Sequence, residues 1–263
     1  HDKDGVVTHL CDHELPVGAE VSGHIDWARR FDHMQQHSGE HIVSGMLCSA
    51  FHCDNVGFHL GADTVTIDYN ADISWEQVQD IERRANRYIW ENHPIHIWYP
   101  SPEELAALPY RSKKALEGPV RLTEFPGADL CACCGTHVAA TGEIGLIKLL
   151  SAVSFRGGTR IEMACGSQAL ALLNAAFDQN RQVSQAFSAK ITETGEAARR
   201  MNELLSAQKY RMAGLEKRVF AGIAESYGNR GNVLHFEEGL SADGVRELAD
   251  VIADKCGGTA AVF

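Results

Sequence analysis

The chain has 263 residues, 44% of them hydrophobic and 22% charged, which is the balance of a folded globular protein large enough for one large domain or several small ones. No uninterrupted apolar run approaches the ~20 residues of a bilayer span. With 24 Lys and Arg against 35 Asp and Glu the net charge is −11, so nonspecific polyanion binding over the whole surface is excluded and any nucleic-acid partner must meet a local basic patch.

The opening cluster His1-Asp2-Lys3-Asp4-Gly5 has turn-forming chemistry, and Val6–Leu10 reads as a strand. Leu15-Pro16-Val17-Gly18 marks a turn, and the alternation from Ala19 to Trp27 predicts a second strand. Residues 1–28 therefore read as the closing hairpin of a small β-barrel whose start lies upstream. From Asp32 the period becomes helical: Met34, Ile42, Val43, Met46 and Leu47 predict a helix of about 18 residues through Ala50.

Asn55–Asp63 is punctuated by glycine and reads as a turn carrying Phe58-His59; Thr64–Tyr69 alternates as a strand. Ser74 with Gln77 forms a capping box for a helix ending before His93-Pro94. Ile95–Tyr99 is a strand, 103–108 and 113–117 are short helical pieces, and 120–125, 145–154 and 160–164 are further strands. Arg156-Gly157-Gly158-Thr159-Arg160 fits a phosphate-binding nest or a plain hairpin equally well. Strands that outnumber helices predict an α+β domain of mixed or antiparallel sheet over residues 29–165.

Residues 166–227 contain no proline. An apolar seam runs through Phe187, Ile191, Ala198, Met201, Leu205, Met212, Leu215 and Val219, as in a coiled coil or helical hairpin. A turn at 228–232 precedes strand, helix and strand at 233–236, 241–255 and 259–263, a βαβ fragment over residues 228–263 too small to stand alone.

Two clusters carry chemistry. His37 and His41, four apart on one helix, share a face at metal-bite distance, as do His33 and His37; spacing leaves both pairs open, because His33 and His41 lie ~12 Å apart along the axis. Cys131-Ala132-Cys133-Cys134-Gly135-Thr136-His137 supplies thiols and an imidazole, a ligand set zinc prefers. Either cluster alone has an ordinary structural explanation. Together they supply the two halves of a tetrahedral site. Of the eight cysteines, three crowd into this one segment, which predicts reduced thiols in a cytoplasmic protein more than a disulfide framework.

The pairing of His37-Ser38-Gly39-Glu40-His41 with Cys133-Cys134-Gly135-Thr136-His137 resembles the signature of AlaX-type alanyl-tRNA editing proteins, relatives of the alanyl-tRNA synthetase editing domain. Arg30-Phe31-Asp32-His33-Met34-Gln35-Gln36, Gly57–Gly61, Thr141–Gly145 and Arg160-Ile161-Glu162 resemble the same family, so the likeness covers about residues 20–170. The later helical and βαβ segments resemble the extension of its longer members. The resemblance implies zinc on His37, His41, Cys133 and His137, to the exclusion of His33, Cys131 and Cys134. It implies hydrolysis of the ester that joins serine, with glycine as a second candidate, to the acceptor end of the tRNA for alanine. The ion either activates a water or anchors the substrate's amino group. Ser38 would offer a hydroxyl, Glu40 a water-positioning base and His59 a pocket wall. The extension implies a homodimer formed through the helical segment.

Two other classes fit part of the pattern. His37-x-x-Glu40-His41 also matches the inverted zinc-peptidase motif, with Glu117 as third ligand, although that leaves Cys133 and His137 without a role. A zinc-stabilised module that binds tRNA without catalysis is the non-enzyme alternative.

Overall fold

The computed structural model describes residues 2–3, 6–61, 63–112 and 118–263. The helical piece expected at 113–117, and Glu117 with it, lies outside them. Contacts divide the chain into two compact units, residues 1–175 and 176–263.

In the first unit, β1 (Asp2–Lys3) and β2 (Val6–Val7) form a short antiparallel pair. Residues 8–26 are exposed and contain no strand, so the strand expected at 19–27 does not form. Its apolar residues, Val21 and Ile25, find no face to bury against, and Trp27 already belongs to helix α1 (Trp27–Phe51). The helix starts five residues before the expected Asp32 because the Asp26 carboxylate accepts from the Arg29 N–H and caps it, while Trp27 stacks on Phe31.

From Gln35 to Leu47 nearly every side of α1 is buried, so its polar side chains must be paired within the protein. Gln36 exchanges two 2.8 Å hydrogen bonds with the Cys165 backbone, and Gln35 donates to the Glu143 carbonyl at 2.8 Å. Gly39 permits the approach: a Cβ there would collide with Cys165 Sγ.

The Asn55–Leu60 segment forms strand β3, where glycine punctuation had suggested a turn. Gly57 sits at an irregularity in the pairing with β4 (Val65–Tyr69), packed so closely on Asp68 that it admits no side chain. As the alternation predicts, Val65, Ile67 and Tyr69 point inward. Helix α2 (Trp75–Trp90) carries the expected capping box, and Val78, Ile81, Ala85 and Ile89 form its buried face. Strand β5 (His96–Trp98) and helix α3 (Pro102–Ala107) lie within one residue of expectation.

Strands β6 (Leu122–Phe125) and β7 (Asp129–Ala132) join β5 in an antiparallel three-stranded sheet. Strand β7 thus carries Cys131, and Cys133 to His137 follow in the loop after it. Strands β8 (Ile147–Phe155) and β9 (Gly158–Cys165) complete an antiparallel four-stranded sheet ordered β3-β4-β9-β8. Their hairpin turns at Arg156 and Gly157, both at positive φ, and Arg160 forks onto Asp68 at 2.6 and 2.8 Å. The hairpin reading of 156–160 is the one realised. Side chains from α1, α2 and the four-stranded sheet, with Phe125 and Val138, build one apolar core.

Helix α4 (Gly166–Ala186) carries the chain across the boundary between the units. In the second unit, a 3-10 turn (Ile191–Glu193) interrupts the helical run before α5 (Thr194–Ser226), so no single coil spans 168–226. Parallel strands β10 (Gly231–His235) and β11 (Gly257–Val262) flank α6 (Ala242–Cys256), which gives the expected βαβ order. Phe220 and Ala224 of α5 pack with Val233, Leu248, Ile252 and Cys256 as its core. The seam residues Met201, Leu205, Met212, Leu215 and Val219 are exposed.

Candidate metal centre

One turn of α1 places His37 and His41 side by side, with ring centroids 4.9 Å apart. The loop that leaves β7 brings up Cys133 and His137. His137 stacks on His37 at 4.5 Å and lies 4.9 Å from His41, and the Cys133 thiol sits 3.6 Å from His37 Nε2. One ligand atom from each of these four residues lies within 4.8 Å of all the others. A tetrahedral ion with metal–nitrogen bonds of ~2.0 Å and a metal–sulfur bond of ~2.3 Å needs donors about 3.3–3.5 Å apart, so small side-chain rotations close the site.

The second ring nitrogens are held by the protein. His37 Nδ1 lies 3.3 Å from the Thr136 carbonyl, His41 Nδ1 2.9 Å from Asp129 Oδ2, and His137 Nδ1 3.5 Å from Ser38 Oγ. In all three rings this leaves Nε2 as the free donor, the orientation that metal sites fix with carbonyl and carboxylate partners. His137 Nε2 is buried with no hydrogen-bond partner, a cost that an ion in the cluster removes.

The surroundings set the charge of the donors. Burial works against the Cys133 thiolate, but the neighbouring imidazoles of His137, His37 and His41 overcome it and bring the thiol down to about 3. Burial lowers His137 to about 4. Burial also opposes charge on His41, yet Asp129, Cys131, Cys133 and Glu40 together hold it well above the ordinary imidazole range. Asp129 is itself held below the usual carboxylate range despite burial, by His41 and by Arg111, whose guanidinium grips both its oxygens at 2.7 Å.

His41, Asp129 and Cys131 form a second group of potential ligands. Its carboxylate is already neutralised by Arg111, and a cation there would face the guanidinium. The first group is therefore the better metal site.

Two further groups shape the ligand loop. Arg121 donates to the Cys133 and Gly135 carbonyls at 2.6 and 3.0 Å and holds the turn. Gly135 is pressed against the His37 ring, where a Cβ would overlap the imidazole.

Of the residues singled out by sequence, His37, His41, Cys133 and His137 come together. His33 is not among them, and Cys134 is exposed. Ser38 accepts from the Val138 N–H at 3.1 Å beside His137, which fits a role in orienting the ligand. Glu40 is buried; its Oε1 accepts from Ser44 at 2.7 Å and from Asn55 at 2.6 Å, and Ser44 in turn meets the Tyr69 hydroxyl at 2.9 Å. His59 is exposed on β3, and the preceding Phe58 stacks on His37 at 5.7 Å instead. Strand alternation sends the two side chains to opposite faces. Asp129, Arg111, Arg121 and Phe58 are parts of the site that no spacing rule marks: each is a single residue contributed from a separate strand or loop.

The description "threonyl and alanyl tRNA synthetase second additional domain" matches residues 120–162, from β6 through the Cys133–His137 loop into β9. Alanyl-tRNA editing protein AlaX-L of Pyrococcus horikoshii is 30% identical over 179 residues, covering 66% of this chain and 44% of that one. Alanyl-tRNA editing protein Aarsd1-B of Xenopus laevis is 27% identical over 254 residues, covering 95% of this chain and 62% of its own. The alanine–tRNA ligase of Methanosphaera stadtmanae is 33% identical over 233 residues, covering 82% and 26%. The chain thus spans less than two thirds of the length of each of these relatives.

Proposed function

We propose, from the chain's kinship with the AlaX-type alanyl-tRNA editing proteins, that it is a zinc-dependent hydrolase that removes wrongly attached serine, and more weakly glycine, from the tRNA for alanine. The observation that carries this reading is the gathering of three imidazoles and one thiol, with one donor atom from each within 4.8 Å of the others and with His37 and Cys133 half-buried. Zinc held by His37, His41, Cys133 and His137 would supply a fixed positive charge to the site, and would act as a Lewis acid if one of the four donors yielded its place.

The chain's own groups do the rest. His41 and His137 are buried, whereas His37 and Cys133 are half-buried, so substrate approaches past these two and along the Phe58 ring. Asp129 and Arg111 hold the His41 ring in place. Ser38 orients His137, and Glu40, tied down by Ser44 and Asn55, bears on His41 through its charge. Water adds to the ester carbonyl carbon, the bond to the ribose oxygen breaks, and the amino acid leaves as its acid while the tRNA regains a hydroxyl. Such a step answers a real limit on selection by binding, since a pocket rejects an isostere bearing one extra hydroxyl by only ~10²-fold. We further propose that the exposed α5 stripe buries against a second copy of the chain.

The test is deacylation of Ser-tRNA(Ala) by the metal-loaded protein. Wild type should release serine, and His41→Ala should not while keeping its circular dichroism spectrum. An ester left intact by wild type overturns the assignment. Zinc retained by Cys133→Ala but lost by Glu117→Ala would favour the inverted-peptidase reading instead.

A further inference from the structure

A groove of about 660 Å³ runs between the outer face of α2 and Leu146, within the size range of ligand clefts. Arg83, Arg84, Arg87 and Trp90 line it, together with Asp80 and Glu82. Arg83 and Arg84 share the single carboxylate of Asp80, at 3.1 and 3.9 Å, and Glu82 is taken by Lys148 at 2.8 Å. Arg87 is exposed and makes no ion pair among the described residues. Three arginines in the groove thus meet two carboxylates, of which Glu82 is already offset by Lys148 outside it, a local positive surplus on a chain whose net charge is −11. Trp90, at 72% exposure, presents a large aromatic face one turn beyond Arg87, although a helix of this kind could have buried it or replaced it with a polar residue.

One stretch of chain connects the groove to the metal centre. Immediately after Trp90, Asn92 accepts from the Gly142 N–H at 3.0 Å, and the His93 N–H donates to Thr141 Oγ1 at 2.9 Å. Pro94 bridges to Ala140, three residues after His137. The loop that carries a metal ligand at one end therefore carries Leu146, a wall of the groove, at the other.

We infer that this groove binds the sugar–phosphate backbone of the RNA whose end enters the metal centre, with Arg83 and Arg87 on phosphates and Trp90 stacked on a base. This rests on the proposed substrate. Arginine forks and aromatic faces are the means by which proteins hold RNA without reading its sequence. Arg83 and Arg87, four residues apart, lie about 6 Å apart along the helix axis and can meet separate phosphates.

The test measures binding of an unacylated tRNA(Ala) transcript to the full chain by fluorescence anisotropy over a range of salt, independently of hydrolysis. The double variant Arg83→Gln/Arg87→Gln should bind about tenfold more weakly at low salt, with a slope of log affinity against log salt shallower by about one to two. Trp90→Ala should lose about five- to hundredfold in affinity with its slope unchanged. All three positions are exposed, so metal content and melting temperature should stay at wild-type values. Affinities within twofold of wild type, or an equal loss in the α5 control Arg199→Gln/Arg200→Gln, would overturn the inference. If wild type fails to deacylate Ser-tRNA(Ala) while the binding arms behave as expected, the reaction falls and the groove stands. If deacylation at subsaturating tRNA survives every groove substitution, the groove falls and the reaction stands.

Discussion

Replacing Asp129 by Asn removes the charge that orients the His41 ring and leaves the half-buried Arg111 without its partner. Metal affinity should drop about 10- to 100-fold, measured by competition with a chelator, with the fold retained. Gly135→Ala acts on the same centre by sterics alone: the methyl group displaces the His37 ring, so metal content should fall although no ligand has changed. The shifted donors also fix a proton count. At neutral pH the Cys133 thiol, at about 3, is ionised and His137, at about 4, is a neutral imidazole, whereas its acidic surroundings raise His41 well above the ordinary imidazole range. Metal binding must expel the His41 proton, so affinity rises with pH, about tenfold per unit, until that imidazole is neutral on its own. Calorimetry in buffers of different ionisation enthalpy should find net proton release on metal binding at pH 7. The four ligand positions were legible in sequence as two short motifs. Asp129 and Arg111 were not, because their importance lies in a contact between β7 and the segment after α3 that no local pattern encodes.

Helix α2 shows why local signals sufficed where they did. Its boundary is set by a capping box written in four consecutive residues, and Ser74→Ala should cost about 1 kcal/mol, read as a lowered melting temperature without loss of metal. Elements whose form depends on distant partners were harder to read. The alternation of 19–27 has strand periodicity but no sheet to join, and β3 contains a glycine that sequence treats as a turn and that the fold uses for close approach to Asp68. Strand β7 is four residues long and half made of the motif that drew attention to its chemistry. Helix α1 begins earlier than its apolar periodicity because Asp26, not hydrophobicity, sets its start.

On the scale of the whole molecule, the α+β class and the βαβ order were readable because strand and helix periods differ, while the seam left a continuous coil and a broken helical run equally open between α4 and α5. That seam leaves Met201, Leu205, Met212, Leu215 and Val219 exposed along α5, more apolar surface than a solvated helix face ordinarily carries. Sedimentation equilibrium should give a dimer, and Leu205→Glu/Leu215→Glu a monomer with an unchanged metal content; a wild-type monomer at high concentration would contradict the dimer alone. The claim on which the rest depends is that α1 and the β7 loop grip one zinc ion with three imidazoles and a single thiolate. X-ray absorption at the zinc edge reads this directly. The expected first shell has one sulfur at ~2.3 Å and nitrogen donors at ~2.0–2.1 Å. A shell with no sulfur, or with two, would contradict it.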